Sequence, residues 1–169
     1  MVFRKKSCFP YFLPSVLVLL IHTEMARGKY DMSLEEERRV YEAGMTLFNA
    51  GGFFEAHEVW EDAWNGTSGR RSEFYRGLIQ MAVVFEHYRR LNGQGVRKVF
   101  ASAKARWTAP LPDVYMGLDL RGFERQVATA LADVLAASRG TPVQFDTSRF
   151  FSIEWVYDPF VEPREEAGE

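Results

Sequence analysis

From Ser33 onward the chain alternates amphipathic stretches with short glycine-bearing breaks. Ser33-Leu34-Glu35-Glu36 has the form of a capping box, in which the serine hydroxyl and the glutamate carboxylate satisfy each other's backbone amides. Val40, Ala43, Leu47 and Phe48 follow at helical spacing, and Asn49-Ala50-Gly51-Gly52 closes the helix. A second helix is predicted over residues 53–64, ending at Asn65-Gly66-Thr67-Ser68-Gly69. A third covers 70–91 and stops at Asn92-Gly93. A fourth covers 95–107 and stops before Pro110 and Pro112. Asp119 is placed to cap a fifth, over 120–138, which ends at Gly140 before Pro142. No Asn-Gly hairpin lies between alternating runs, and strands do not alternate with helices. Short connections favour antiparallel neighbours, so the expectation is all-α: a compact single-domain bundle of about five helices.

The chain after Thr141 reads differently. Phe151, Ile153, Trp155 and Tyr157 alternate with Ser152, Glu154, Val156 and Asp158. That is an extended segment with one apolar face, expected to lie across the bundle without a partner strand. The last nine residues, 161–169, hold four acids and one arginine and are expected to fray.

Composition narrows the function classes. Of 169 residues, 47% are apolar and 15% aromatic, enough for one domain with a sizeable core. Residues 1–30 carry a net +4 and residues 31–169 about −6. An acidic domain is a poor nucleic-acid binder, because phosphate neutralisation supplies most non-specific affinity. The single cysteine, Cys8, excludes an internal disulfide and any cysteine-based zinc site. With three histidines (His22, His57 and His87), a His-rich metal site is excluded as well.

Residues 1–30 stand apart as an N-terminal extension to a helical domain over 31–140 and a tail over 141–169. Arg4, Lys5 and Lys6 precede an apolar run from Cys8 to Ile21 that is broken by Pro10 and Pro14. This is the outline of an export signal, but it lacks a small-x-small cleavage site and is shorter than a spanning helix. Two readings stand: a true signal or membrane anchor in residues 1–24, or a start assigned upstream of the real one, at Met25 or Met32. The first implies export or membrane attachment, the second a cytoplasmic protein.

The second helix carries the candidate chemistry. On a wheel of about 100° per residue with Phe53 at zero, Trp60, Phe53 and Trp64 form the apolar centre. His57 falls at about 40° and Glu61 at about 80°, one turn apart and towards the core side, while Glu58 lies at the border. An imidazole and a carboxylate beside three large aromatics need partners. The string His57-Glu58-x-x-Glu61 (His-Glu-x-x-Glu) can share a divalent ion between His57 and Glu61, harder than zinc because one nitrogen ligand is lost. Equally, Glu61 can accept from His57 or an arginine in a structural network.

On the third helix, Phe74, Leu78, Met81, Phe85 and Tyr88 make one apolar face, with Tyr75, Ile79, Ala82 and Val83 widening it, so this helix is expected to be central. An opposing stripe holds Glu73, Arg76, Gln80, Val84 and His87. In an antiparallel hairpin that stripe could meet the His57 side, bringing Gln80 and His87 to His57 and Glu61. The plainer alternatives are a satisfied core amide for Gln80 and a surface histidine near the helix end for His87. The loop Gly66-Thr67-Ser68-Gly69-Arg70-Arg71 could hold an anion but lacks the Gly-Lys-Ser/Thr of a phosphate loop.

Phe48-Asn49-x-Gly51-x-Phe53-Phe54-Glu55-Ala56-His57-Glu58-x-Trp60-Glu61-x-x-Trp64, followed by Phe74-x-x-Gly77-Leu78-Ile79-Gln80-x-Ala82 and His87, resembles the DUF309 family over about residues 41–107. The resemblance implies an all-α fold in a family of uncharacterised function labelled as predicted metal-dependent hydrolases. Carried over by position, the motif residues are His57, Glu58, Glu61, Trp64, Gln80 and His87. Two functions follow as expectations. One is a hydrolase with a divalent metal ion on His57, Glu61 and His87, and Glu58 as general base. The other is a non-enzymatic helical module whose His/Glu/Gln cluster fixes packing and whose surface takes a protein partner.

Overall fold

The computed structural model describes residues 32–108 and 111–161. The expectations for residues 1–30, including Cys8 and His22, and for the fraying residues 162–169 lie outside the described residues. Six helices are described: α1 (Leu34–Asn49), α2 (Phe53–Gly66), α3 (Gly69–Arg89), α4 (Gly93–Thr108), α5 (Leu120–Ala130) and the short α6 (Ala132–Ala136). Between α4 and α5 sits a small antiparallel hairpin of β1 (Val114–Tyr115) and β2 (Leu118–Asp119). A 3-10 turn at Thr147–Arg149 interrupts the extended tail. The fold is all-α, as the pattern predicted. Among the described residues no helix is long and apolar enough to cross a membrane.

The first four helices form where the sequence places them, and their ends show why. The capping box is present: Glu36 N–H donates to Ser33 Oγ at 3.3 Å and Ser33 N–H to Glu36 Oε2 at 3.0 Å. α1 closes in a Schellman motif, with Gly52 N–H on Leu47 O and Gly51 N–H on Phe48 O, both 2.9 Å. Gly51 takes the required left-handed φ of 80°. α3 closes the same way, with Asn92 N–H on His87 O and Leu91 N–H on Tyr88 O. Here the left-handed position falls on Leu91 (φ 58°), not on the nearby glycine.

α3 packs against both α2 and α4, which confirms it as the central helix. Two tryptophans tie the layers. Trp60 of α2 donates to Tyr41 O of α1, and Trp107 of α4 donates to Phe74 O of α3, each at 3.3 Å. Each indole lies over a glycine, Gly44 and Gly77 respectively, that stands three residues after the accepting carbonyl.

Two expectations need correction. The predicted fifth helix breaks at Leu131, which leaves helical geometry (φ −114°, ψ 20°). Nothing in the local sequence marks the break, but tertiary groups hold it: Arg149 donates to Ala130 O at 3.1 Å and Arg97 to Val134 O at 2.9 Å. Leu131 stays fully buried. The hairpin was missed because its turn is Met116-Gly117, both at positive φ. The turn is fixed from outside, by Tyr41 Oη donating to Met116 O at 3.1 Å and Val156 N–H to Gly117 O at 2.8 Å.

The tail does lie across the bundle without a partner strand. Asn49 takes a strand's place: its side chain accepts from Ile153 N–H at 2.8 Å and donates to Ile153 O at 2.9 Å. Phe150 packs edge-on to Phe53, and Phe151 to Phe85 and Phe123. The inward alternation runs through Trp155 and ends there; Tyr157 is exposed. Arg38 pairs with Asp158 at 2.6 Å to hold the far end.

Candidate functional site

The buried residues of α2 are Phe53, Ala56, Val59, Trp60, Ala63 and Gly66. Their mean direction lies about 110° from His57 and about 150° from Glu61 on the helical wheel. The core-facing placement of the pair is therefore corrected. The large aromatics pulled the expected face toward Trp64, whereas the small residues Ala56 and Ala63 sit at the true centre. Trp64 is only partly buried, with the Arg76 guanidinium 5.7 Å from its ring. The His57 side chain is 21% exposed and Glu61 45%. Glu58 is half-buried on the same flank.

His57 and Glu61 do meet. His57 Nε2 lies 3.2 Å from Glu61 Oε1, the internal pairing that a structural network calls for. His57 Nδ1 is buried with no hydrogen-bond partner among the described residues. Its ring packs 5.6 Å from that of Phe54.

The stripe on α3 is divided: Glu73 and Gln80 reach α4, whereas Arg76 lies over Trp64 of α2. Gln80 Nε2 donates to Ser102 Oγ of α4 at 3.0 Å, and Arg106 of α4 reaches Glu73 at 3.2 Å. His87 lies against Gly95, where a Cβ would come within 2.6 Å of its ring. His87 Nδ1 is 3.2 Å from Asn92 Nδ2, so the ring nitrogen accepts there. Asn92 Oδ1 in turn accepts from Gly95 N–H at 2.9 Å and caps α4. Gln80 is thus an interhelical tie, and His87 supports a helix start.

His57 and His87 nonetheless share one feature, a half-open cleft of about 180 Å3 between the start of α2 and the end of α3. Phe53, Phe54, Val83, Glu86 and Arg90 complete its lining. Glu61 is not among its lining residues, so the cleft does not gather the three expected ligands. His57 and Glu61 turn their facing atoms on each other, and His87 Nδ1 is taken by Asn92. Among the described residues no group of three His, Cys, Asp or Glu side chains is placed to hold an ion.

Sequence reasoning missed two buried carboxylates. Glu86 is 6% exposed. Its oxygens lie 2.5 Å from Arg90 Nε and 2.7 Å from Arg89 Nη2. Burial pushes this carboxyl up, but the hydrogen bonds from Arg89 and Arg90 together outweigh it and hold the group below the usual carboxylate range. The spacing Glu86-x-x-Arg89-Arg90 was the available signal. Glu37 is 1% exposed. It accepts from Arg71 at 2.7 Å and from the Tyr75 hydroxyl at 3.0 Å. Burial first, and then the Glu37 charge, push the Tyr75 phenol well above its ordinary value. Glu37 shares the inward face of α1 with Val40, Tyr41 and Gly44, a period that its place among first-turn acids concealed.

Comparison with known proteins adds a partial family match and no activity. The chain is 35% identical over 52 residues to a Bacillus subtilis (strain 168) protein described as "Uncharacterized protein YpuF". That alignment covers 30% of this chain and 30% of the relative, so the chain matches under a third of that protein's length. The DUF309 profile, "Domain of unknown function (DUF309)", matches residues 41–99, from the middle of α1 into α4. That match takes in the whole of α2 and α3, the helices that hold the motif residues His57, Glu58, Glu61, Trp64, Gln80 and His87.

Proposed function

We propose that this protein is a non-enzymatic helical interaction module, in which the polar string of α2 and α3 serves packing. One observation carries the reading: the residues a hydrolase would need are each engaged locally and apart. His57 is held by Glu61, Gln80 by Ser102 and His87 by Asn92. Each contact stitches a helix to itself or to its neighbour, which is what a buried or half-buried polar group requires.

A single feature favours the metal-dependent hydrolase, the unpartnered His57 Nδ1 beside a cleft that also touches His87. Elemental analysis of freshly purified protein, with His57→Ala in parallel and circular dichroism as a fold check, separates the two. The module reading expects no stoichiometric divalent ion and a folded variant. An equimolar ion in the wild type that is lost from a still-folded His57→Ala would overturn it.

A further inference from the structure

The cleft at the start of α2 has an unusual setting. Pockets for cofactors and drug-sized ligands run to roughly 300–1,000 Å3. At about 180 Å3 this one is too small for those and suits one apolar side chain. Phe53, Phe54 and Val83 provide its apolar wall. Phe54, in that wall, is itself an exposed large apolar residue at 40%, and Leu91, next in the chain after the lining residue Arg90, is 54% exposed.

Charge sets this end apart too. Residues 31–169 carry about −6, yet residues 86–98 hold Arg89, Arg90, Arg97 and Lys98 against the one carboxylate of Glu86, a net +3. Glu86 is buried, while the Arg89 and Arg90 side chains are 44% and 64% exposed. Arg90 lines the cleft and leaves most of its side chain open to solvent beside the buried Glu86. The acids of α2 (Glu55, Glu58, Glu61 and Asp62) lie along the other helix. They give the site a polarity: negative groups are repelled on the α2 side and attracted on the side where α3 ends.

We propose that this end of the bundle is a docking site for a short segment of a partner protein, with one apolar anchor residue in the cleft and acidic residues beside it over Arg89 and Arg90. An apolar anchor in a pocket with a polar rim is the usual arrangement of a hot spot, and the complementary charge steers the encounter. The assignment rests on the interaction-module reading.

The test uses the full chain and fluorescein-labelled eight-residue peptides, read by fluorescence anisotropy. One set places Leu, Phe or Trp before three Asp or Glu residues. Matched sets replace the acids with Lys, or the anchor with Ala. Only the acidic, anchored set should bind, and about tenfold more weakly to Phe54→Ala and to Arg90→Glu, each confirmed folded by circular dichroism. Binding should weaken several-fold between about 50 and 500 mM salt. Arg125→Glu, an exposed charge on α5, should leave it unchanged. The proposal is overturned if no acidic anchored peptide binds below about 1 mM, if the lysine set binds as well, or if both site variants bind as the wild type does. It is also overturned if sedimentation shows a dimer that Phe54→Ala dissolves, since the face would then be covered by a second copy. Metal content decides the module reading separately: failed peptides on metal-free protein remove only the docking site.

Discussion

Trp60 lies flat against Gly44, so close that a Cβ at Gly44 would stand 2.1 Å from the indole Nε1. Trp107 and Gly77 repeat the relationship at 1.9 Å. In both places the indole N–H reaches a backbone carbonyl one helical turn before the glycine. Only the missing side chain lets two helices approach this closely. Gly44→Ala and Gly77→Ala should each cost about 3 kcal/mol or more, at or beyond the upper end of ordinary overpacking, because a rigid ring in a filled core has nowhere to go. Urea denaturation measures this. A loss below about 1 kcal/mol would mean that the helices slide apart easily.

The Glu37–Arg71–Tyr75 cluster predicts an asymmetry. Glu37 is 1% exposed at its side chain, Arg71 39%. Arg71→Ala strands a carboxylate in the core and should cost about 2–4 kcal/mol. Glu37→Gln leaves an arginine that can turn to water and should cost about half as much. Equal losses in chemical denaturation would contradict the picture of one trapped and one mobile charge.

Acid sensitivity follows from Glu86. Its carboxyl is held below the ordinary value of 4.5 by Arg89 and Arg90 despite its burial. A depressed carboxyl stabilises the fold fully above the unfolded-state value, and the contribution disappears as pH falls through the folded-state value. Asp133 and Asp146 are lowered in the same direction, Asp133 chiefly by Arg149 and Asp146 chiefly by Ser148. Wild-type Tm should therefore drop from about pH 5 downward, and the drop should be shallower in Glu86→Gln. Parallel curves for the two proteins would exclude Glu86 as a source.

Leu91 occupies the left-handed position that closes α3, with its side chain more than half exposed. A leucine there pays a steric cost of about 1 kcal/mol and returns little packing. Leu91→Gly should raise stability by about 0.5–1 kcal/mol and Tm by a few degrees. A fall in Tm would show that the Leu91 side chain supports the fold in some way its exposure does not suggest.

Helix order and ends were legible because caps and glycines act locally. Ser33 with Glu36, and Gly51 with Gly52, specify their turns without help from the rest of the chain. The break at Leu131 and the Met116-Gly117 turn were not legible, since the groups that fix them (Arg97, Arg149, Tyr41 and Val156) come from distant positions. The candidate site was half legible. Spacing alone gave the His57–Glu61 contact. The direction of Gln80 depended on which neighbour α3 turned it toward, and Ser102 of α4 gave the answer. Glu37 and Glu86 were passed over because a buried acid resembles a solvated one until its arginine is placed.

The tail that Asn49 clasps has a consequence for the segment matched by the family profile. Phe48, Phe53 and Phe85, all within residues 41–99, are covered by Phe150 and Phe151 from the far end of the chain. In this chain the matched segment is therefore less than a self-sufficient unit, since its aromatic floor is roofed from outside it.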